Sequence, residues 1–137
     1  MMEKSVFMSI KEIHINRILK RVKNHEFRTK KPKKDFEYII VYVPTPLKEL
    51  KYVLKVKPPV VSPNKIDIDG FGNREFNNTI IEKYAYPIEG MYEINRTVKL
   101  DELRQKYNFT APQSFAYGEK YSDLLKYIDK VGITKLY

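Results

Sequence analysis

The segment SIKEIHINRILKRVKNHEFR, residues 9–28, carries the pattern that decides the fold. Its first part predicts an amphipathic helix over residues 11–22, because four apolar residues recur at the i, i+3, i+4, i+7 spacing of one buried face. These residues are Ile15, Ile18, Leu19 and Val22. Ser9 and Glu12 have the S-x-x-E spacing of a capping box that opens a helix, although Ser9 can equally be a hydroxyl in a cleft.

The second part predicts a strand over residues 25–31, in which successive side chains point to opposite faces. Phe27 then enters the core, while Glu26 and Arg28 share the other face. Four lysines follow, which we call the lysine loop: Lys30, Lys31, Lys33 and Lys34. These lysines predict a solvated electrostatic surface that raises association rates with polyanions.

Glu26 is the only acid in residues 20–34, a stretch dense in Lys and Arg. A surface that only needs to be positive gains nothing from this carboxylate, which suggests a site made of Lys23, Glu26 and Arg28. Arg28 can offer a planar fork to a phosphate or base edge, Lys23 a point charge, and Glu26 can orient Arg28 or accept from an exocyclic amine. The alternative interpretation is a surface salt-bridge cluster on a strand.

Elements on both sides of this segment predict an α+β fold in a single domain over residues 1–137. Strands are expected at residues 5–10, 36–43 (FEYIIVYV), 47–56 and 91–100, and helices at residues 74–84 and 101–107. Residues 57–73 are expected to form an extended loop, and Tyr121, Leu124, Leu125 and Ile128 mark one face of a last helix. We expect a small mixed sheet of about five to six strands that closes into a barrel with flanking helices.

Composition narrows the range of functions. The chain has 26 Lys and Arg against 17 Asp and Glu, a net charge of +9, which favours a polyanionic partner such as nucleic acid or an anionic membrane surface. It has no cysteine and only two histidines, so disulfides, thiolate metal sites and a Cys nucleophile are excluded, and we expect no metal and no cofactor. No apolar run approaches the roughly 20 residues of a membrane span, and we expect a cytoplasmic protein without a membrane partner.

Two separated stretches together resemble the ASCH domain of the PUA-like β-barrel superfamily. Residues 9–28 are similar to that family's strand, helix and G-x-K-x-x-E-x-R turn, with Lys23, Glu26 and Arg28 at the Lys, Glu and Arg positions. Arg21 stands where the family usually has Gly. LDELRQKYNFTAPQSFAYG, residues 100–118, is similar to the segment that completes the barrel, with Pro112, Gln113, Ser114, Phe115 and Tyr117 at the positions of its P-Q-S-F-x-Y motif.

The resemblance implies a cleft between helix and barrel in which RNA or a modified nucleoside binds. The implied nucleic-acid-binding residues are Ser9, Lys23, Glu26, Arg28, Tyr42, Gln113, Ser114 and Tyr117. The aromatic residues among them, Tyr42 and Tyr117, can be stacking partners for a base or simply core residues.

Three functions follow, of which we favour an RNA-binding or nucleic-acid-binding module. The second is a small hydrolase of a modified nucleoside or RNA that uses Lys23 and Glu26. In family members that hydrolyse acetylated cytidine, a Thr nucleophile stands where this chain has Glu26, and a carboxylate cannot form the same acyl intermediate. The third is a regulatory protein that docks its basic face on a protein or an anionic surface. The sequence does not choose DNA or RNA and does not predict an oligomeric state.

Overall fold

The computed structural model describes residues 2–137, which form eight strands, four α-helices and a 3₁₀ turn at Gly118–Tyr121. In chain order the elements are β1 (Ser5–Ser9), α1 (Glu12–Leu19), β2 (His25–Arg28), β3 (Tyr38–Val43), β4 (Glu49–Val56), β5 (Val60–Val61), α2 (Asn73–Asn77), β6 (Tyr84–Lys99), α3 (Leu100–Tyr107), β7 (Ala116–Tyr117), α4 (Ser122–Val131) and β8 (Ile133–Lys135). The expected α+β class is confirmed: the strands form one mixed sheet that curls into a half-barrel.

The sheet has the order β2-β6-β4-β3-β1-β7, and β5 and β8 also pair with β6. Only the β1–β3 pair is parallel among the pairs of residues 2–137, and α1 and β2 lie between these two strands in the chain. β2 and β7 therefore stand at the two ends of the sheet. The curl brings these ends toward each other, and most of the predicted site residues lie there, with Tyr42 in β3 as the exception.

The 16-residue strand β6 is responsible for the curl. Its first part pairs with β2 and β5, and its second part pairs with β4 and β8. The register with β4 shifts between Lys55 and Val56, opposite the Ile88 to Gly90 stretch of β6. A shift of this kind bends and twists a strand, so one continuous strand can serve two differently oriented halves of the sheet.

Buried side chains cover both faces of β3, whose YIIVYV sequence is apolar or aromatic throughout. Ile39, Val41 and Val43 face a cluster that includes Ile15 and Ile18 of α1. The intervening residues Ile40 and Tyr42 face a second cluster that includes residues of α3 and α4. The sheet is thus covered by α1 on one face and by α3 and α4 on the other, as expected of a strand without a polar side.

Several element boundaries differ from those predicted. The strand expected at residues 91–100 is the second part of β6. The helix expected at 74–84 is instead the short α2, Asn73–Asn77, and residues 84 onward belong to β6. Before residue 91, β6 contains Pro87 and Gly90, which favour a turn in the sequence pattern. Pro87 has no N–H to donate, but its carbonyl accepts a hydrogen bond from the Lys57 N–H at 3.0 Å. The short strands β5, β7 and β8 were not predicted, because two or three residues carry no recognisable alternation.

The turn after α1 shows how an arginine replaces the glycine usual in ASCH domains. Arg21 has φ +59°, the left-handed conformation that glycine adopts without strain. Its guanidinium lies 4.1 Å from the centre of the Tyr137 ring, and the Tyr137 hydroxyl donates to the Ile18 carbonyl at 2.7 Å. The tight turn is therefore present, and a cation–π contact offsets part of its backbone strain.

Candidate functional site

Lys23, Glu26 and Arg28 do come together, but in the interior of the protein. The Lys23 ammonium lies 3.5 Å from Glu26 Oε1, and the Arg28 Nη2 lies 2.9 Å from Glu26 Oε2. The side chains of Lys23, Glu26 and Arg28 are 4%, 8% and 15% exposed. We call these residues the buried triad. They are placed by the turn after α1 and by alternate positions of β2, as the strand periodicity predicted.

Burial determines the electrostatics of the triad. Removal from water lowers the pKa of Lys23, and the adjacent Glu26 carboxylate opposes that shift only in part. The Lys23 ammonium also lies 4.5 Å from the centre of the Phe27 ring, which favours the charged form. Glu26 thus provides a counter-charge to Lys23 and Arg28 in a place where an unpaired charge is costly.

Arg28 connects the two ends of the curled sheet. Its Nη2 donates to the Ser9 carbonyl at the end of β1 at 3.1 Å, and its Nη1 donates to the Ser114 carbonyl just before β7 at 3.3 Å. Its Nε donates to Glu26 Oε2 at 3.1 Å. Each nitrogen of the guanidinium already has an acceptor within the protein. In this conformation Arg28 does not present the free fork to a phosphate that the sequence suggested.

The other predicted residues take different positions. The capping box is wrong: Lys11 is the residue that precedes α1, and the Ser9 hydroxyl donates instead to the Pro112 carbonyl at 2.8 Å. Tyr42 is buried and packs against Phe109 in the core cluster that includes residues of α3 and α4, so the structure gives it a core role. Gln113 is exposed beside the contact between Arg28 and Ser114.

Tyr117 anchors the lysine loop. Its hydroxyl accepts hydrogen bonds from the backbone N–H groups of Lys33 and Lys34 at 3.0 and 3.3 Å. Pro32 is buried, and Lys34 forms an ion pair with Glu119. The loop is therefore tied to the segment that resembles the end of the ASCH domain, while the side chains of Lys30, Lys31 and Lys33 are exposed.

Beside this loop lies a pocket of about 380 Å³, which we call the basic pocket. Five lysines line it: Lys4, Lys31, Lys34, Lys55 and Lys57. Three carboxylates also line it, so its formal charge remains positive. Lys34 is paired with Glu119, but the other four lysines form no ion pair within residues 2–137. Lys55 and Lys57 are distant from the lysine loop in the chain, so the sequence alone does not place their charges beside it.

Phe36 and Tyr86 form the aromatic wall of the basic pocket, with ring centres 5.0 Å apart. Tyr86 lies opposite Glu26 in the β2–β6 pair and is 2% exposed. Its hydroxyl has no hydrogen-bond partner within residues 2–137. Burial, with smaller contributions from Tyr84 and Asp35, raises the pKa of Tyr86 to about 12, so the hydroxyl stays protonated at neutral pH. No sequence pattern distinguished these two aromatic residues from the many others.

A larger, open depression of about 690 Å³ lies along residues 65–78. Asp67, Asp69 and Glu75 line it together with Lys65 and Arg74, a mixed set of charges that does not favour a polyanion. Within residues 2–137 no group of three or more His, Asp or Glu side chains is arranged to hold a metal ion. No helix in this range is long and apolar enough to cross a bilayer.

Comparison with protein-family models and with curated proteins found no match. Solved structures of ZmASCH from Zymomonas mobilis do match. A Tyr-to-Phe variant superposes with a TM-score of 0.69 and 20% identity, over 90% of this chain and 97% of that one. A Ser-to-Ala variant gives a TM-score of 0.65 and 18% identity, over 92% of this chain and 97% of that one. The ASCH structure from the same organism gives a TM-score of 0.65 and 20% identity, over 90% of this chain and 95% of that one. The chain therefore has the ASCH fold.

Proposed function

We propose that this protein is a binding module for RNA, which it holds across the face formed by the lysine loop and the basic pocket. The observation that carries the proposal is the convergence of Lys4, Lys55 and Lys57 with the lysine loop around one concave site. Lys4 directly precedes β1, Lys55 and Lys57 lie at and just after the end of β4, and the lysine loop is in the β2–β3 connection, so only the fold brings them together. Concentrated positive charge attracts phosphates and releases their counterions.

The buried triad supports this face but does not itself contact the RNA. Arg28 holds β2 to Ser9 and Ser114, and Tyr117 holds the lysine loop to the same segment. These hydrogen bonds join β2 and the lysine loop to the segment around Ser114 and Tyr117. The triad positions are then the scaffold of the binding face, and the exposed lysines are its electrostatic surface.

Binding should be tested with a labelled single-stranded RNA of 12 nucleotides by fluorescence anisotropy over a series of salt concentrations. The affinity should fall steeply with salt, with a logarithmic slope of roughly 0.7 per phosphate neutralised on a single strand. Replacing the four lysines of the lysine loop by Ala should weaken binding and flatten this slope. The matched control removes four lysines elsewhere on the protein: Lys106, Lys126, Lys130 and Lys135.

Both quadruple variants lower the net charge equally, so a difference between them reports the position of the charge and not its amount. Equal losses would show that binding depends on net charge alone and would contradict the proposed face. Absence of binding at low salt would refute the function itself. A duplex DNA of equal length, compared under the same conditions, measures the preference for RNA.

The lowered pKa of Lys23 beside Glu26 is the observation that favours the second candidate, a hydrolase. Against it, both side chains are buried, and a substrate would have to displace the surrounding segments to reach the Lys23 amine. We expect acetylated cytidine and RNA to remain unchanged on incubation with the protein, as followed by chromatography. Product that forms reproducibly and disappears in Lys23→Met would favour the hydrolase.

A further inference from the structure

We propose that the basic pocket receives one unstacked nucleobase of the bound RNA, which stacks on the half-buried Phe36 ring of the wall, beside the buried ring of Tyr86. This inference rests on the proposed function and specifies which part of the RNA this pocket recognises. The pocket volume of about 380 Å³ is within the range of roughly 300–1,000 Å³ typical of small-molecule sites.

The composition of the wall suits a base better than it suits a phosphate. Phe36 and Tyr86 are joined there by Val56, Pro58 and Pro59, which have no charged or donor group to offer a phosphate. Every base has an apolar, polarisable face, and stacking on aromatic residues is the common way to bind single-stranded nucleic acid without strict sequence preference. The lysines at the rim are then available for the phosphates on either side of the inserted base.

Tyr86 adds a second, independent indication of a ligand. A buried hydroxyl without a partner is unfavourable and rare in folded proteins, and its ring lines this pocket. The hydroxyl itself is covered, and the Asp35–Phe36 stretch beside it belongs to the connection that carries the lysine loop. A shift of that stretch on RNA binding would open the hydroxyl to a hydrogen-bonding edge of the base.

The test compares an RNA of eight nucleotides with an abasic strand of the same length, which keeps every phosphate and lacks every base. Wild-type protein should bind the RNA more tightly than the abasic strand, by about fivefold to a hundredfold if one base stacks on the wall. Phe36→Leu and Tyr86→Phe should each reduce this ratio while leaving the affinity for the abasic strand unchanged. Melting temperatures of both variants verify that the fold is intact.

Phe71→Leu is the matched control, because Phe71 is a partly exposed ring beside Arg17 and lies outside the basic pocket. The ratio of RNA affinity to abasic-strand affinity of Phe71→Leu should equal that of wild type. Tyr86→Phe is also informative alone, since deletion of an unpartnered hydroxyl should leave the melting temperature equal or higher while it lowers the preference for bases.

The possible failures are distinct. If neither strand binds, the proposed function and the base site are both refuted. If RNA and abasic strand bind equally, binding is purely electrostatic, and only the base site is refuted. If RNA is preferred but both pocket variants retain the full ratio, or Phe71→Leu reduces it as much, the base binds elsewhere and the assignment to this pocket is wrong.

Discussion

Replacing Glu26 by Gln tests whether the buried triad is the scaffold that the structure indicates. Glu26 is the only carboxylate within 4.0 Å of the Lys23 ammonium in residues 2–137, whereas Arg28 also has the carbonyls of Ser9 and Ser114. Removing one partner of a buried ion pair costs roughly 3–5 kcal/mol. Gln keeps one acceptor oxygen, so we expect a loss near the lower limit, about 3 kcal/mol. For a chain of this length that corresponds to roughly 10 °C in melting temperature.

The measurement is urea unfolding followed by circular dichroism, with Glu102→Gln as the matched control. Glu102 also bridges two cations, Arg96 and Lys106, but both of these are exposed, so its replacement should change stability little. The double variant Lys23→Met/Glu26→Gln should recover most of the loss, since it leaves no lysine charge buried without a partner. A Glu26→Gln protein as stable as Glu102→Gln, or a double variant no better than the single one, would refute this reasoning.

The pH dependence of the Glu26→Gln defect provides a further check. Burial already lowers the pKa of Lys23, and loss of the carboxylate should lower it further. A lowered folded-state pKa means that the unfolded chain binds more protons, so stability rises with pH in the window below the usual lysine value of 10.5. The difference in free energy of unfolding between Glu26→Gln and wild type should therefore become smaller from pH 7 to pH 10.

Three more predictions concern residues in the segments around the buried triad. Arg21→Gly should leave the melting temperature equal or higher, because it removes an arginine whose backbone is in the left-handed conformation. The control Lys20→Gly, at a residue with φ −81°, should lower the melting temperature, because glycine loses more backbone entropy on folding. Gly72→Ala should destabilise the fold by about 1–3 kcal/mol in urea unfolding, since a methyl group would lie 2.6 Å from the Phe27 ring at φ +84°. Burial lowers the pKa of His25 below 6.5, so stability should fall as pH drops from 7 toward 5, and a pH titration of His25→Asn should show a weaker fall.

Local patterns in the sequence identified the strands β2, β3 and β4, and the grouping of Lys23, Glu26 and Arg28 on one side of their turn and strand. They also identified the helix α1, but it ends at Leu19, and Leu19 and Val22 of the predicted buried face are exposed. These features depend on periodicity and on residue type within a few positions, which a sequence displays directly. Net charge likewise indicated a polyanionic partner. The single domain over residues 1–137 and the choice of RNA as partner remain predictions.

The tertiary structure decided which of these side chains are available to a ligand. Arg28 and Ser114 are 86 positions apart, and their contact exists only because the 16-residue β6 bends the sheet until its ends approach. In the folded chain Glu26 is buried, and Tyr86 lies beside Phe36 in the basic pocket. Burial and hydrogen-bond satisfaction of a side chain depend on all the elements packed around it. A sequence pattern therefore cannot show whether a charged side chain is free to bind a ligand or is already paired within the protein.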